Sequence, residues 1–128
     1  NINSEIIQAI DGIKSNSYKQ EILLKSMEIL MQETSLDFLN DLVENNFENK
    51  ILNDKINNIS TGHKFVIHSI VKMIYHIERR SLVLFDEPES HLHPPLLAIL
   101  MKTIRYILEN QKAYMRKVVD FLDQNLTK

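Results

Sequence analysis

Between positions 86 and 93 the chain reads DEPESHLH, a stretch that crowds acids and histidines together. Asp86 and Glu87 directly follow the wholly apolar run LVLF at 82–85. Adjacent carboxylates at the end of a buried run repel each other and lose hydration. A fold tolerates that where a cation or a reacting group sits beside them. One acid can then hold Mg²⁺, directly or through water, while its neighbour acts as general base on an attacking water. The alternative is a pair of solvated loop acids that cap the next helix. His91 and His93 form H-x-H beside these acids. Imidazole and carboxylate suit zinc or manganese, while the plainer reading makes both histidines turn or interface residues.

Upstream, residues 59–64 read ISTGHK and lead into a strongly periodic apolar segment. A serine and a glycine at a helix start can bind an anion through backbone N–H groups, a hydroxyl and the helix dipole. The same residues also serve as simple capping.

These residues need elements to hold them. Helical spacing predicts a short helix over 4–14 with Ser4 as N-cap, a helix over 18–33, and helical structure over 36–47. Residues 45–58 are rich in Asn and charge and read as a loop or frayed connection. Val66, Ile67, Ile70, Val71, Ile74 and Ile77 predict a helix over 63–79 that starts near Gly62. The run at 82–85 reads as a buried parallel strand, because it is short and stops abruptly. Pro94 and Pro95 open a further helix, and 115–126 gives a separate last one. His68 and His76 read as surface or half-buried groups, and Arg79 and Arg80 as a solvated helix end.

The chain has 128 residues and a formal charge of −2, so no global basic field points to nucleic acid. It holds no cysteine, which excludes thiolate zinc sites and fits a reducing cytoplasm. No apolar run approaches the roughly 20 residues that span a bilayer. Only Gly12 and Gly62 are glycines, so no glycine-rich phosphate loop can be written.

The ordered set of S-x-G, helix, apolar strand, DE-P-E and HLHPPLL resembles the C-terminal lobe of ABC-type ATPases of the SMC, Rad-type and OLD-like branch. Over 57–114 it is most similar to the PtuA-type ATPases of Septu and retron anti-phage defence systems. The resemblance implies an α/β P-loop NTPase lobe, mostly helical here, with at least one buried parallel strand and an incomplete sheet. It implies ATP and Mg²⁺ as cofactors, with Asp86 assisting the metal and Glu87 as catalytic base. Ser60, Gly62, His63 and Lys64 would meet the γ-phosphate of a nucleotide held by another subunit. Many relatives carry Gln or Glu where His63 and Lys64 stand. Ser90, His91, Leu92 and His93 would form the loop at that dimer interface.

The implied partners are a second copy, an HNH nuclease subunit and, in retrons, a reverse transcriptase with its multicopy single-stranded DNA. A cytoplasmic location and no membrane are expected.

The expected organisation is a helical subdomain over 1–56, the signature and acidic lobe over 57–114, and a separate helix over 115–128. Walker A and the switch histidine are both missing. A strand should also follow a helix packed on a parallel sheet, so the junction of Tyr114 with Met115 reads as a gap. The expectation is therefore a piece of a longer ATPase, inactive by itself. Two other readings stand beside it: a DNA-repair or chromosome-organising ATPase of the SMC type, and a non-enzymatic helical scaffold.

Overall fold

The computed structural model describes residues 1–78 and 92–126. In chain order they form α1 (Ile2–Lys14), α2 (Ser17–Leu30), a 3₁₀ turn (Thr34–Leu36), α3 (Leu39–Glu44), α4 (Asn49–Asn57), α5 (Thr61–Tyr75) and α6 (Pro94–Leu126).

The apolar period decides the longer helices. In α1, Ile6, Ala9, Ile10 and Ile13 fall on one buried face. Asn1 rather than Ser4 caps it, because the Asn1 side chain accepts from the Ser4 backbone N–H at 3.1 Å. Asn16 caps α2 in the same way, accepting from the Lys19 N–H at 3.1 Å. α5 is rich in β-branched residues, which are mediocre helix formers. Burial compensates, since Val66, Ile67, Ile70, Val71 and Ile74 are all enclosed. α5 packs on α1, α2 and α6, and α2 also packs on α6. One core cluster draws on residues from Ile6 to Ile107, so it runs through both the 1–56 and the 57–114 segments.

The region read as a loop holds two ordered features. At the end of α3 the Phe47 N–H donates to the Leu42 carbonyl at 2.8 Å and the Asn46 N–H donates to the Val43 carbonyl at 3.1 Å. That is a Schellman motif with asparagine in the glycine position. Asn46 and Phe47 both have φ of 54°. The turn buries the Phe47 ring, and the Lys14 ammonium donates to the Phe47 carbonyl. α4 then buries Leu52 and Ile56, one helical turn apart. The helical structure expected over 36–47 is confined to α3 and the 3₁₀ turn before it.

The α/β expectation is corrected by this architecture. Among the described residues every regular element is helical, with no strand and no sheet. The expectation assumed that the helices flanking the acidic run must cover a sheet. Instead the apolar faces of α5 and α6 close on each other and on α1 and α2. The strand expected over 82–85 lies outside the described residues, as do Arg79 and Arg80. The helix expected over 115–126 is the last part of α6, which runs through Tyr114 and Met115 without a break. Among the described residues, no helix is long and apolar enough to cross a membrane.

Candidate functional site

The start of α5 carries a connected polar group. Ser60 sits before the helix in extended backbone, φ −67° and ψ 162°. Its Oγ accepts from the His63 backbone N–H at 3.2 Å. The same oxygen lies 2.7 Å from His63 Nδ1. On the other edge of the ring, His63 Nε2 lies 2.9 Å from Ser35 Oγ. Ser35 in turn donates its hydroxyl proton to Glu33 and its backbone N–H to the same carboxylate oxygen at 3.2 Å.

These bonds fix the proton positions by elimination. Glu33 as a carboxylate can only accept, so the Ser35 hydroxyl proton points to it. Ser35 Oγ must then accept from His63 Nε2–H. Neutral His63 has one remaining lone pair, at Nδ1, and the Ser60 hydroxyl donates to it. A line of four groups therefore runs from Glu33 through Ser35 and His63 to Ser60. The Phe38 ring meets the imidazole edge-on, with centroids 6.1 Å apart and planes at 88°.

The electrostatics follow from the same neighbours. Burial, and then the nearby His93, push His63 below its ordinary value, while Glu33 pulls it up. Two hydrogen bonds from Ser35 hold the Glu33 carboxyl below the usual range, with His93 and His63 adding to the effect. His93 therefore stands within electrostatic reach of both.

The sequence-derived candidates divide as follows. Ser60, Gly62, His63 and Lys64 share the first turn of α5, and the Lys64 N–H donates to the Ser60 carbonyl at 2.9 Å. His93 is exposed just before α6, and its carbonyl accepts the Leu97 N–H at 3.1 Å. Leu92 is 8% exposed and belongs to the core. Ser60 and His63 thus share the start of α5, and His93, just before α6, acts on His63 electrostatically. Asp86, Glu87, Ser90 and His91 lie outside the described residues.

Glu33 and Ser35 are the members that sequence reasoning missed. Ser35 stands 28 positions from His63, and no local spacing announces that contact. Among the described residues no group of three or more His, Cys, Asp or Glu side chains could hold a metal ion.

A second polar group ties α1 to α5. Lys72 Nζ pairs with Glu5 Oε1 at 3.0 Å, and His68 Nε2 lies 3.8 Å from the same oxygen. Burial, and then Lys72, push the His68 imidazole below its ordinary value against the pull of Glu5. A shallow cavity of about 180 Å³ opens beside this pair, lined by Glu5, Gln8, Lys72 and Tyr75 among others. The pair bridges α1 and α5 at the rim of their apolar contact.

The chain is similar to Protein ea59 of Escherichia phage lambda, 45% identical over 51 residues. That stretch is 40% of this chain and 10% of the phage protein, so the chain corresponds to a small part of that relative. No known family's profile matches the chain, and no solved structure matches it.

Proposed function

We propose that the chain is a helical portion of a longer ATP-hydrolysing protein, with the start of α5 as its phosphate-contacting point. The observation that carries this reading is the placing of Ser60 and Gly62 at the first turn of a 15-residue helix, with His63 and His93 beside it. Backbone N–H groups, a hydroxyl and a nearby imidazole form a suitable surface for phosphate oxygens. The proposal concerns sites rather than fold class, because function resides in the site.

In this reading Asp86 assists Mg²⁺ and Glu87 activates the attacking water, each carried over from the sequence pattern. His63 has a specific part. While neutral, it accepts a hydrogen bond from the Ser60 hydroxyl and turns that donor away from solvent. Once protonated it offers N–H at both nitrogens, and Ser60 is released to donate to a phosphate oxygen. The defence setting and the HNH nuclease, reverse transcriptase and DNA partners rest on the family resemblance. A homo-oligomer joined through the nucleotide is part of the same proposal.

Ser60→Arg in the full-length protein tests it, since bulk and charge enter the shared phosphate position. The expected result is loss of ATP-dependent dimerisation in light scattering. ATP-induced dimers at the unaltered level would contradict the assignment.

A second reading has an observation of its own. Ser60 already caps α5 and His63 already bridges two serines, which is enough to explain both residues in a non-enzymatic helical scaffold. ATP turnover by the full-length protein separates the two.

A further inference from the structure

Capping explains one bond of Ser60 and leaves its other partners unexplained. A cap serine needs only its oxygen, which accepts a backbone N–H of the first helical turn. Ser60 does this toward the His63 N–H at 3.2 Å, and capping makes no demand on its hydroxyl proton. Here that proton points at His63 Nδ1, 2.7 Å away. The imidazole is held at its far edge as well, where Nε2 lies 2.9 Å from Ser35 Oγ. Ser35 belongs to the 3₁₀ turn, and Glu33, just before that turn, accepts both its hydroxyl proton and its backbone N–H. Neither Ser35 nor Glu33 takes part in capping α5.

The protons in this line all point one way, from Ser60 toward Glu33. Moving the Ser60 proton onto Nδ1 makes an imidazolium whose Nε2–H still donates to Ser35, with the Glu33 carboxylate behind it. A hydroxyl, a base and the groups that orient the base thus lie within hydrogen-bond distance of one another, which is the arrangement that activates a serine. Ser60 is exposed, so a reacting molecule can reach it. Glu33 and His93 are the charged groups that act on the imidazole. Burial and then His93 lower its pKa against the pull of Glu33, so it is the free base at neutral pH.

We propose that Ser60 is an activated nucleophile that takes an acyl group from carboxylic esters, with His63 as its base and Ser35 and Glu33 as positioning residues. Ser60 Oγ bonds to the ester carbonyl carbon while its proton passes to His63 Nδ1. The bond from that carbon to the alkoxy oxygen then breaks. The alkoxy oxygen takes the proton from Nδ1 and leaves as the alcohol, and the acyl group stays on Ser60. Water repeats the sequence with the same base and releases the carboxylic acid. The reaction uses neutral His63, whereas the phosphate contact proposed above uses the protonated form. It needs no nucleotide, so the two readings stand or fall separately.

The test treats the full-length protein with p-nitrophenyl acetate in the absence of nucleotide, quenches in acid, and maps acetyl groups by mass spectrometry. Trypsin cuts after Lys55 and Lys64, so Ser60 and His63 are read on the peptide 56–64. The acetyl group should sit on Ser60. Its rate of attachment should rise as pH climbs through the His63 value, which lies below 6.5, and level above it. These two readouts come from the unaltered protein and do not depend on any variant folding. His63→Gln should slow acetylation of Ser60 by about a hundredfold. Glu33→Gln removes the charge that raises the His63 value, so the reaction should slow and its pH step should move to lower pH. Ser60→Asn keeps a good helix cap and removes the nucleophile, so the peptide should stay unmodified. Acetyl on His63 instead of Ser60, a Ser60 rate without the pH step, or an unchanged rate in His63→Gln would each overturn the proposal.

Discussion

Ser60 donates its hydroxyl proton to His63 Nδ1 over 2.7 Å, while the backbone N–H of His63 returns a bond to the same Ser60 oxygen at 3.2 Å. The helix start is thus closed on itself when the imidazole is neutral. Its state depends on pH, and so does part of the stability of the bundle.

His63 and His68 are both pushed below the ordinary value of 6.5, mainly by burial. The unfolded chain therefore takes up protons at a higher pH than the folded one. Stability from these groups is complete above pH 6.5 and is lost as pH falls through their folded values. Urea midpoints should be level at neutral and mildly alkaline pH and should drop as the solution becomes mildly acidic. The double variant His63→Gln, His68→Gln should flatten that drop. A midpoint that rises on mild acidification would contradict the assignment. Glu5, Glu33 and Glu78 are held below their ordinary 4.5, so they add a further loss only in more acid solution.

Asn46 occupies the left-handed position that ends α3, at φ 54°. Asparagine tolerates that conformation better than alanine does. Asn46→Ala should cost about 1 kcal/mol in urea unfolding, and Asn46→Gly should be neutral or stabilising. Equal stability of the alanine and glycine variants would show that the Schellman turn is not under this constraint.

Gly12 lies in the last turn of α1, where a Cβ would collide with the Tyr75 ring. The ring is held from its other neighbours too, since the Lys19 ammonium sits 5.2 Å from its centroid and donates to the Tyr75 carbonyl at 2.6 Å. Lys19 also pairs with Glu78 at 2.9 Å. In the absence of the ring, Gly12→Ala should gain the helix preference of alanine, about 0.8–1 kcal/mol. With Tyr75 in place the gain should shrink or reverse. A double-mutant cycle of Gly12→Ala and Tyr75→Ala reads the coupling. Additive effects would place the ring elsewhere in solution.

The sequence carried much of this architecture and missed the rest for identifiable reasons. Ile6, Ala9, Ile10 and Ile13, or Leu96, Ile99, Leu100 and Ile104, repeat at a helical period over several turns and announce buried faces. α4 has only Leu52 and Ile56 fully buried among Asn and charged residues, too few to stand out from a loop. The α/β expectation came from one apolar tetrapeptide and the assumption that its flanking helices cover a sheet. Nothing in the apolar faces of α5 and α6 distinguishes a sheet from the helices that meet them. At the candidate site, Ser60 was legible as a local cap. The line onward through His63 to Ser35 and Glu33 was not, because chain folding alone joins segments so far apart in sequence.

The proposed function makes Glu87 the base of an ATP-hydrolysing site. The most direct measurement is ATP turnover and nucleotide retention by Glu87→Gln in the full-length protein. Gln preserves size and hydrogen-bonding shape but cannot take a proton from water. The account predicts that turnover falls to background while bound nucleotide is retained. Hydrolysis at the unaltered rate would contradict it and remove Glu87 from the role of base.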